Sequence, residues 1–278
     1  MIKILCSDKD DWKMKCSQQH YNKNLYKFTY TNFDAHPKIN RYDLVLPLYE
    51  KDIFILNDFY KNTTGNFLIP SNEVVKFCNN KNAFNRHLIE NGFEKYIPKL
   101  FDQKREFPYI LKKNLDEWGL NSHIIDSEEK EKHFADFLNH PEYFKQQYIV
   151  GEDEYTTHFI FDKNKIVYHF TLHFKFPDKI FVKGLQSPSF KTAQISPVET
   201  MFSDLFEQIL ININFSGIGC FNFKIVDGIP KIFELNPRVG GSLPLDLENF
   251  IDAYKKTRVM FKVKPTWIEK IKKKFFKN

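Results

Sequence analysis

The chain has 278 residues and a formal net charge of +6; 42% of its residues are hydrophobic and 30 are phenylalanine. That length and apolar content exclude a disordered chain and give room for one large domain or two or three small ones. The basic residues are scattered without a recognition motif, which argues against nucleic acid as a partner and suits a small anionic ligand.

Cys6, Cys16, Cys78 and Cys220 form no Cys-x-x-Cys pair, so neither a zinc site nor a disulfide framework is expected, and a reducing cytoplasm is the default. The first residues, Met1-Ile-Lys-Ile-Leu-Cys-Ser-Asp, give way to charge too soon for a signal peptide or a membrane span. A soluble cytoplasmic protein without stable membrane insertion is the expectation, and the sequons at Asn62 and Asn214 then carry no weight.

Ile2 to Cys6 and Asp43-Leu-Val-Leu-Pro-Leu read as buried strands separated by polar, aromatic-studded loops, which is α/β punctuation. No Gly-x-Gly-x-x-Gly follows the first strand and no Gly-x-x-x-x-Gly-Lys-Ser/Thr occurs, so neither a dinucleotide fold nor a P-loop is supported. Ser71 is placed to cap a helix carrying Val74, Val75 and Phe77. A second helix is predicted from about Asn82 to Glu90, stopped at Asn91-Gly92, with Lys81 at the junction.

Phe107-Pro-Tyr-Ile-Leu-Lys112 reads as a strand ending in a lysine. A buried ammonium needs an anionic partner, and a triphosphate would supply one. The loop Asn114 to Ser122 holds a single glycine, and Ser127-Glu-Glu-Lys opens a helix with acid in its first turn. Two strands, Tyr155 to Phe161 and Ile166 to Phe176, flank Asp162-Lys-Asn-Lys165. His169 and His173 share a strand face, but no third ligand is placed, so no metal is expected there. Lys175 and Lys183 are candidates for charge near phosphate. Ser196-Pro-Val-Glu199 has the form of a capping box with proline at the first helical position, opening a helix with Phe202, Leu205, Phe206, Ile209 and Ile213 as its core stripe.

The richest segment is Gly219 to Arg238. Asp227-Gly228 between two apolar runs predicts a β-hairpin, Cys220 to Val226 against Ile229 to Leu235. Glu234 and Asn236 then point the same way, about 7 Å apart along the strand. A strict two-residue turn would leave Asn222 on the opposite face, so a three-residue loop with Gly228 left-handed and a G1 bulge is expected. Glu234, Asn236 and Asn222 offer the oxygen donors that Mg²⁺ or Mn²⁺ takes. Arg238 is held beyond the strand by Pro237 to fork onto a phosphate or carboxylate oxygen, and Gly240 and Gly241 allow close backbone approach. The tail, with Trp267, Ile268, Ile271 and Phe275 among lysines, reads as a short basic amphipathic helix suited to dock onto its own domain or a partner, with membrane-surface contact as the alternative.

Glu234-Leu-Asn-Pro-Arg238 resembles the metal-binding end of the ATP-grasp superfamily, in particular the carbamoyl-phosphate-synthetase-like branch of carboxylate-amine ligases. The resemblance spans roughly residues 71 to 250. It implies an α/β (α+β) architecture of two subdomains clasping ATP: a small N-terminal α/β domain over 1–78, an ATP-grasp domain over 79–258 with a lid subdomain at about 106–180, and a basic tail over 259–278. By the same resemblance Lys81 reaches phosphate, Lys112 contacts the nucleotide and joins Arg238 in catalysis, Gln147, Tyr148 and Ile149 offer backbone groups to adenine, and Glu154 holds the ribose. Gln146 stands where the family often has glutamate, Lys113 where proline is common, and Asn222 where Asp or Gln is common. The segment Gly151 to Glu154 is one residue long for the pattern. The implied reaction is ADP-forming ligation of a small-molecule carboxylate to an amine through an acylphosphate; a small-molecule kinase and a non-catalytic nucleotide-binding regulator are the alternatives. A homodimer is compatible with each.

Overall fold

Ile2–Ser7 (β1) forms the centre of a parallel sheet because four consecutive residues, Ile4, Leu5, Cys6 and Ser7, are buried and both faces are covered. It pairs with Tyr26–Thr31 (β2) on one side and Leu44–Leu46 (β3) on the other. Asp10–Gln18 (α1) and Glu50–Tyr60 (α2) follow β1 and β3, each with two acids in its first turn, where they complement the helix dipole. Asp52 of α2 ties back to the end of β1, its carboxylate accepting from Ser7 Oγ at 2.5 Å. This structure is a computed structural model that describes residues 1–18, 21–60, 67–102, 106–116, 119–183 and 191–259. The amphipathic helix expected over Trp267 to Asn278, and nearly all of the tail from 259 onward, lie outside the described residues, as does the middle of the loop expected at 114–122.

Asn72–Asn79 (α3) and Lys81–Leu88 (α4) share Asn80 between them. Ser71 Oγ caps the first by accepting from Val74 N at 3.3 Å, and Asn80 Oδ1 caps the second by accepting from Ala83 N at 3.0 Å. Lys81 is therefore the first residue of a helix, its direction fixed by two successive caps.

Leu100–Phe101 (β4), Tyr109–Lys113 (β5), His123–Ile125 (β6) and Tyr143–Gln147 (β7) make a four-stranded antiparallel sheet in the order β4-β7-β5-β6. Glu128–His133 (α5) and Ala135–Leu138 (α6) lie between β6 and β7, and Phe134 and Leu138 pack on Phe101, Tyr109, Leu111 and Ile125.

The larger sheet is antiparallel with five strands in the order β10-β9-β8-β11-β12, formed by Asp153–Asp162 (β8), Lys165–Lys175 (β9), Gln194–Val198 (β10), Gly217–Val226 (β11) and Ile229–Asn236 (β12). Ser203–Asn212 (α7) buries Phe206, Ile209 and Leu210 against Phe221 and Phe223, and each such ring is worth roughly 2–3 kcal/mol of burial. Leu247–Val259 (α8) joins the sheets: Phe250, Ile251 and Tyr254 share one core with Ile4 and Leu44 of the N-terminal sheet and Ile160 and Ile218 of the large one. Tyr254 Oη also accepts from Leu68 N at 2.6 Å. The N-terminal sheet is thus packed against the rest of the molecule through a continuous apolar core.

Two sequence expectations are corrected here. Ser196-Pro-Val is an edge strand, paired Ser196 to His173 and Pro197 to Leu172, and α7 begins at Ser203 instead. Proline is tolerated because β10 is an edge, and the ladder with β9 outweighs the local capping preference. The hairpin turn has two residues: Val226 pairs with Ile229 across Asp227 (φ 51°) and Gly228 (φ 76°), both left-handed as a type I′ turn requires. The register correction lies within the strands. Asn222 pairs with Glu234 and Phe223 with Ile232, so Phe233 is an extra, bulged residue. That bulge brings Glu234 to the same face as Asn222; without it Glu234 would point into the α7 core.

Candidate functional site

A cavity of about 810 Å³ opens where the four-stranded sheet and the five-stranded sheet meet Lys15 in the last turn of α1 and Glu50 at the start of α2. Lys81, Lys112, Gln147, Tyr148, Ile149, Glu154, Asn222, Glu234, Asn236 and Arg238 all line it. Strand alternation explains the contribution of the hairpin: Cys220, Asn222 and Lys224 alternate with buried Phe221 and Phe223, and past the bulge Glu234 and Asn236 follow the same rule.

A polar chain runs along the cavity floor. Lys183 Nζ is 2.8 Å from Glu154 Oε1 and donates to Thr156 Oγ1 at 3.3 Å. Thr156 Oγ1 donates to Asn222 Oδ1 at 2.7 Å, and Asn222 Nδ2 donates to Glu234 Oε1 at 2.7 Å. Asn236 Nδ2 donates to the same oxygen at 3.1 Å, while Lys81 Nζ is 3.3 Å from Glu234 Oε2. Burial alone would push the Glu234 carboxyl up, but Lys81, Lys112 and the two amides outweigh it and hold the group at about 2. Glu234 is therefore an anion at any physiological pH.

Lys112 projects from β5 above this floor. Its Nζ donates to Gln146 Oε1 at 3.0 Å and lies 5.4 Å from the centre of the bulged Phe233 ring. Burial brings its ammonium down to about 8 against the pull of Glu234. Lys81 also donates to the carbonyl of Asp116 at 2.6 Å. Glu154 pairs with Lys183, so the ammoniums that act most directly on Glu234 are those of Lys81 and Lys112, with Asp116 lining the same cavity.

The far end is built partly by the helices that flank the N-terminal sheet, which sequence reasoning did not place here. Arg238 Nε donates to Glu50 Oε1 at 2.8 Å, and Lys15 of α1 donates to Gly241 O at 2.8 Å. His158, buried beneath Gly240, has its Nε2 2.9 Å from Ser242 Oγ. Burial, with Lys183 nearby, pushes this imidazole down to about 3, so it is neutral. A Cβ on Gly240 would sit 2.7 Å from His158 Cε1, which is why this loop needs glycine.

At the opposite end, the segment leaving β7 is already engaged. Gln147 N donates to Lys99 O at 2.7 Å, so that donor faces β4 and not the cavity. Tyr148 Oη donates to Phe181 O and accepts from Phe181 N, both at 2.8 Å. Lys224 Nζ, also missed in the sequence, donates to Ile149 O at 3.0 Å and Gly151 O at 2.6 Å. Of the remaining candidates, Lys175 is exposed and outside the cavity lining, and His173 pairs with Asp153 at 2.6 Å.

The backbone is similar to that of D-alanine--D-alanine ligase from Bacillus anthracis, with a TM-score of 0.63, 16% identity, and coverage of 94% of this chain and 98% of that one. It is also similar to phosphoribosylamine--glycine ligase from Thermotoga maritima (TM-score 0.62, 13% identity, 92% and 76% covered) and to N5-carboxyaminoimidazole synthetase from Staphylococcus aureus complexed with ADP (TM-score 0.58, 13% identity, 89% and 73% covered). The chain has the ATP-grasp fold. Identities this low speak for the fold alone. In sequence, it is 30% identical over 135 residues to the uncharacterized protein MG011 of Mycoplasma genitalium, a match covering 48% of this chain and less than half, 45%, of that protein. No protein-family model matches the chain. As an ATP-grasp fold, the molecule places its cavity between the two antiparallel sheets, with Lys15 of α1 and Glu50 of α2 at one end. No described helix is long and apolar enough to cross a membrane.

Proposed function

We propose that the chain is an ATP-dependent ligase that activates a carboxylate as an acylphosphate, joins it to an amine and releases ADP and phosphate. The observation that carries this reading is the meeting, in one cavity, of ionised Glu234 and its amide neighbours with the ammoniums of Lys81 and Lys112. The ATP-grasp fold supports it, since solved proteins with this fold include two named as ligases and one complexed with ATP.

The donor set fits a hard divalent cation. The Glu234 carboxylate is ionised, and although Asn222 and Asn236 now direct their amide nitrogens at it, a half-turn about each terminal torsion would bring an amide oxygen beside it. Mg²⁺ or Mn²⁺ held there would neutralise and orient phosphate oxygens. The chain's own residues do the rest. Lys112 and Lys81 hold charge that develops on the phosphoryl oxygens, in a site where burial strengthens each interaction. Arg238 exchanges Glu50 for a substrate carboxylate or phosphate oxygen. Glu154 holds the ribose, and Tyr148 and Ile149 border the base. Residues 79–258 form the nucleotide-binding unit in this reading, and residues 1–78 close the acceptor end through Lys15 and Glu50.

The test is Glu234→Ala in an assay of ADP release over paired carboxylates and amines with mass detection of the product. Turnover is expected to vanish while the protein still folds; near-normal turnover would refute the assignment.

A further inference from the structure

Lys224 stands on β11 two residues beyond Asn222, on the same face, and only 4% of its surface is exposed. Its ammonium is clamped between the carbonyls of Ile149 and Gly151, 4.6 Å from the centre of the Phe181 ring and 5.5 Å from that of Tyr148. It nevertheless lines the cavity, as do the apolar side chains Ile110, Phe174 and Phe181, a lining that suits a base. Nothing in the ligase reading uses this lysine.

Its position alters what the slot can recognise. A backbone carbonyl facing a base normally accepts from an exocyclic amine. Here two carbonyls of the segment leaving β7, those of Ile149 and Gly151, already face an ammonium, so an amine hydrogen brought to either meets positive charge. An ammonium has three N–H donors, and two are taken by the carbonyls. An oxo group approaching the same wall meets a charged donor instead, the stronger kind of hydrogen bond.

We propose that Lys224 sets the base preference of the nucleotide subsite, so that a purine carrying an acceptor oxygen at position 6, as in guanine or hypoxanthine nucleotides, binds no less tightly than adenine. This rests on the nucleotide-binding reading above and narrows it to a substrate class.

The test is calorimetric titration of the full chain, with magnesium present, by ATP and by inosine triphosphate, which differ at position 6 and its attendant N1 proton. The wild-type protein is expected to bind inosine triphosphate at least as tightly as ATP. Lys224→Met, which keeps length and removes the donor, is expected to shift the ratio toward ATP by about tenfold, the worth of one charge-assisted hydrogen bond. Tighter binding of ATP by the wild type, or a ratio unmoved in a folded Lys224→Met protein, overturns the proposal. If the variant does not fold, the wild-type comparison decides alone. Binding of neither nucleotide at millimolar concentration overturns the ligase reading together with this one, whereas ATP preference overturns only this one.

Discussion

Lys112 Nζ donates to Gln146 Oε1 at 3.0 Å, so the buried ammonium of β5 meets a neutral amide on β7 in place of a carboxylate. Burial therefore prevails, and the group titrates at about 8 instead of 10.5. Above pH 8 the site loses a positive charge, and nucleotide affinity is expected to fall there. The stability of the ligand-free protein moves the other way. A folded pKa below the unfolded one means the unfolded chain binds more protons between about 8 and 10.5, so melting temperature rises with pH across that window. Lys224, also brought down to about 8, acts in the same direction. Gln146→Glu restores a charged partner and is expected to move the break in affinity upward by at least about one pH unit. Titration of affinity against pH in both proteins decides the point; coincident curves would mean Lys112 does not hold phosphate.

Asn222 makes the second prediction. Its amide donates to Glu234 at 2.7 Å, so Asn222→Asp replaces an attraction by two carboxylates at hydrogen-bond distance. Without metal the variant is expected to melt lower than wild type, and one of the two carboxyls takes up a proton near neutral pH. Millimolar Mg²⁺ is expected to raise its melting temperature well beyond any rise in wild type, because the cation binds the folded state and relieves the repulsion. A magnesium effect equal in the two proteins would place the cation elsewhere.

The floor of this site was legible because its parts lie within one hairpin. Asp227-Gly228 announced the turn, and Glu234 and Asn236 share a face by simple alternation. The reason Asn222 joins them was not legible, since a bulged Phe233 reads like any strand phenylalanine and a three-residue turn would have served equally well. The helix expected at Ser196 failed for a related reason: its capping signature is local, and the pairing with β9 that overrides it depends on residues more than twenty positions away. Lys15 and Glu50 could not be placed from sequence at all. Their cavity partners, Gly241 and Arg238, are 226 and 188 residues distant, and only the core shared by β1, β3 and α8 brings them together.

That pairing supports a last prediction. Arg238 and Glu50 are mostly buried, with side-chain exposures of 11% and 14%. Removing one partner takes the opposite charge away from a poorly solvated group, which costs on the order of 3–5 kcal/mol, whereas removing both charges avoids that penalty. Denaturant unfolding is therefore expected to show Glu50→Ala strongly destabilised, and Glu50→Ala with Arg238→Met less destabilised than the sum of the single changes. Saturating ATP is expected to recover more stability in Glu50→Ala than in wild type, because an anionic ligand then no longer competes with the Glu50 carboxylate for the guanidinium. Strictly additive losses, or equal stabilisation of both proteins by ATP, would show that Glu50 does not hold Arg238 in reserve for substrate.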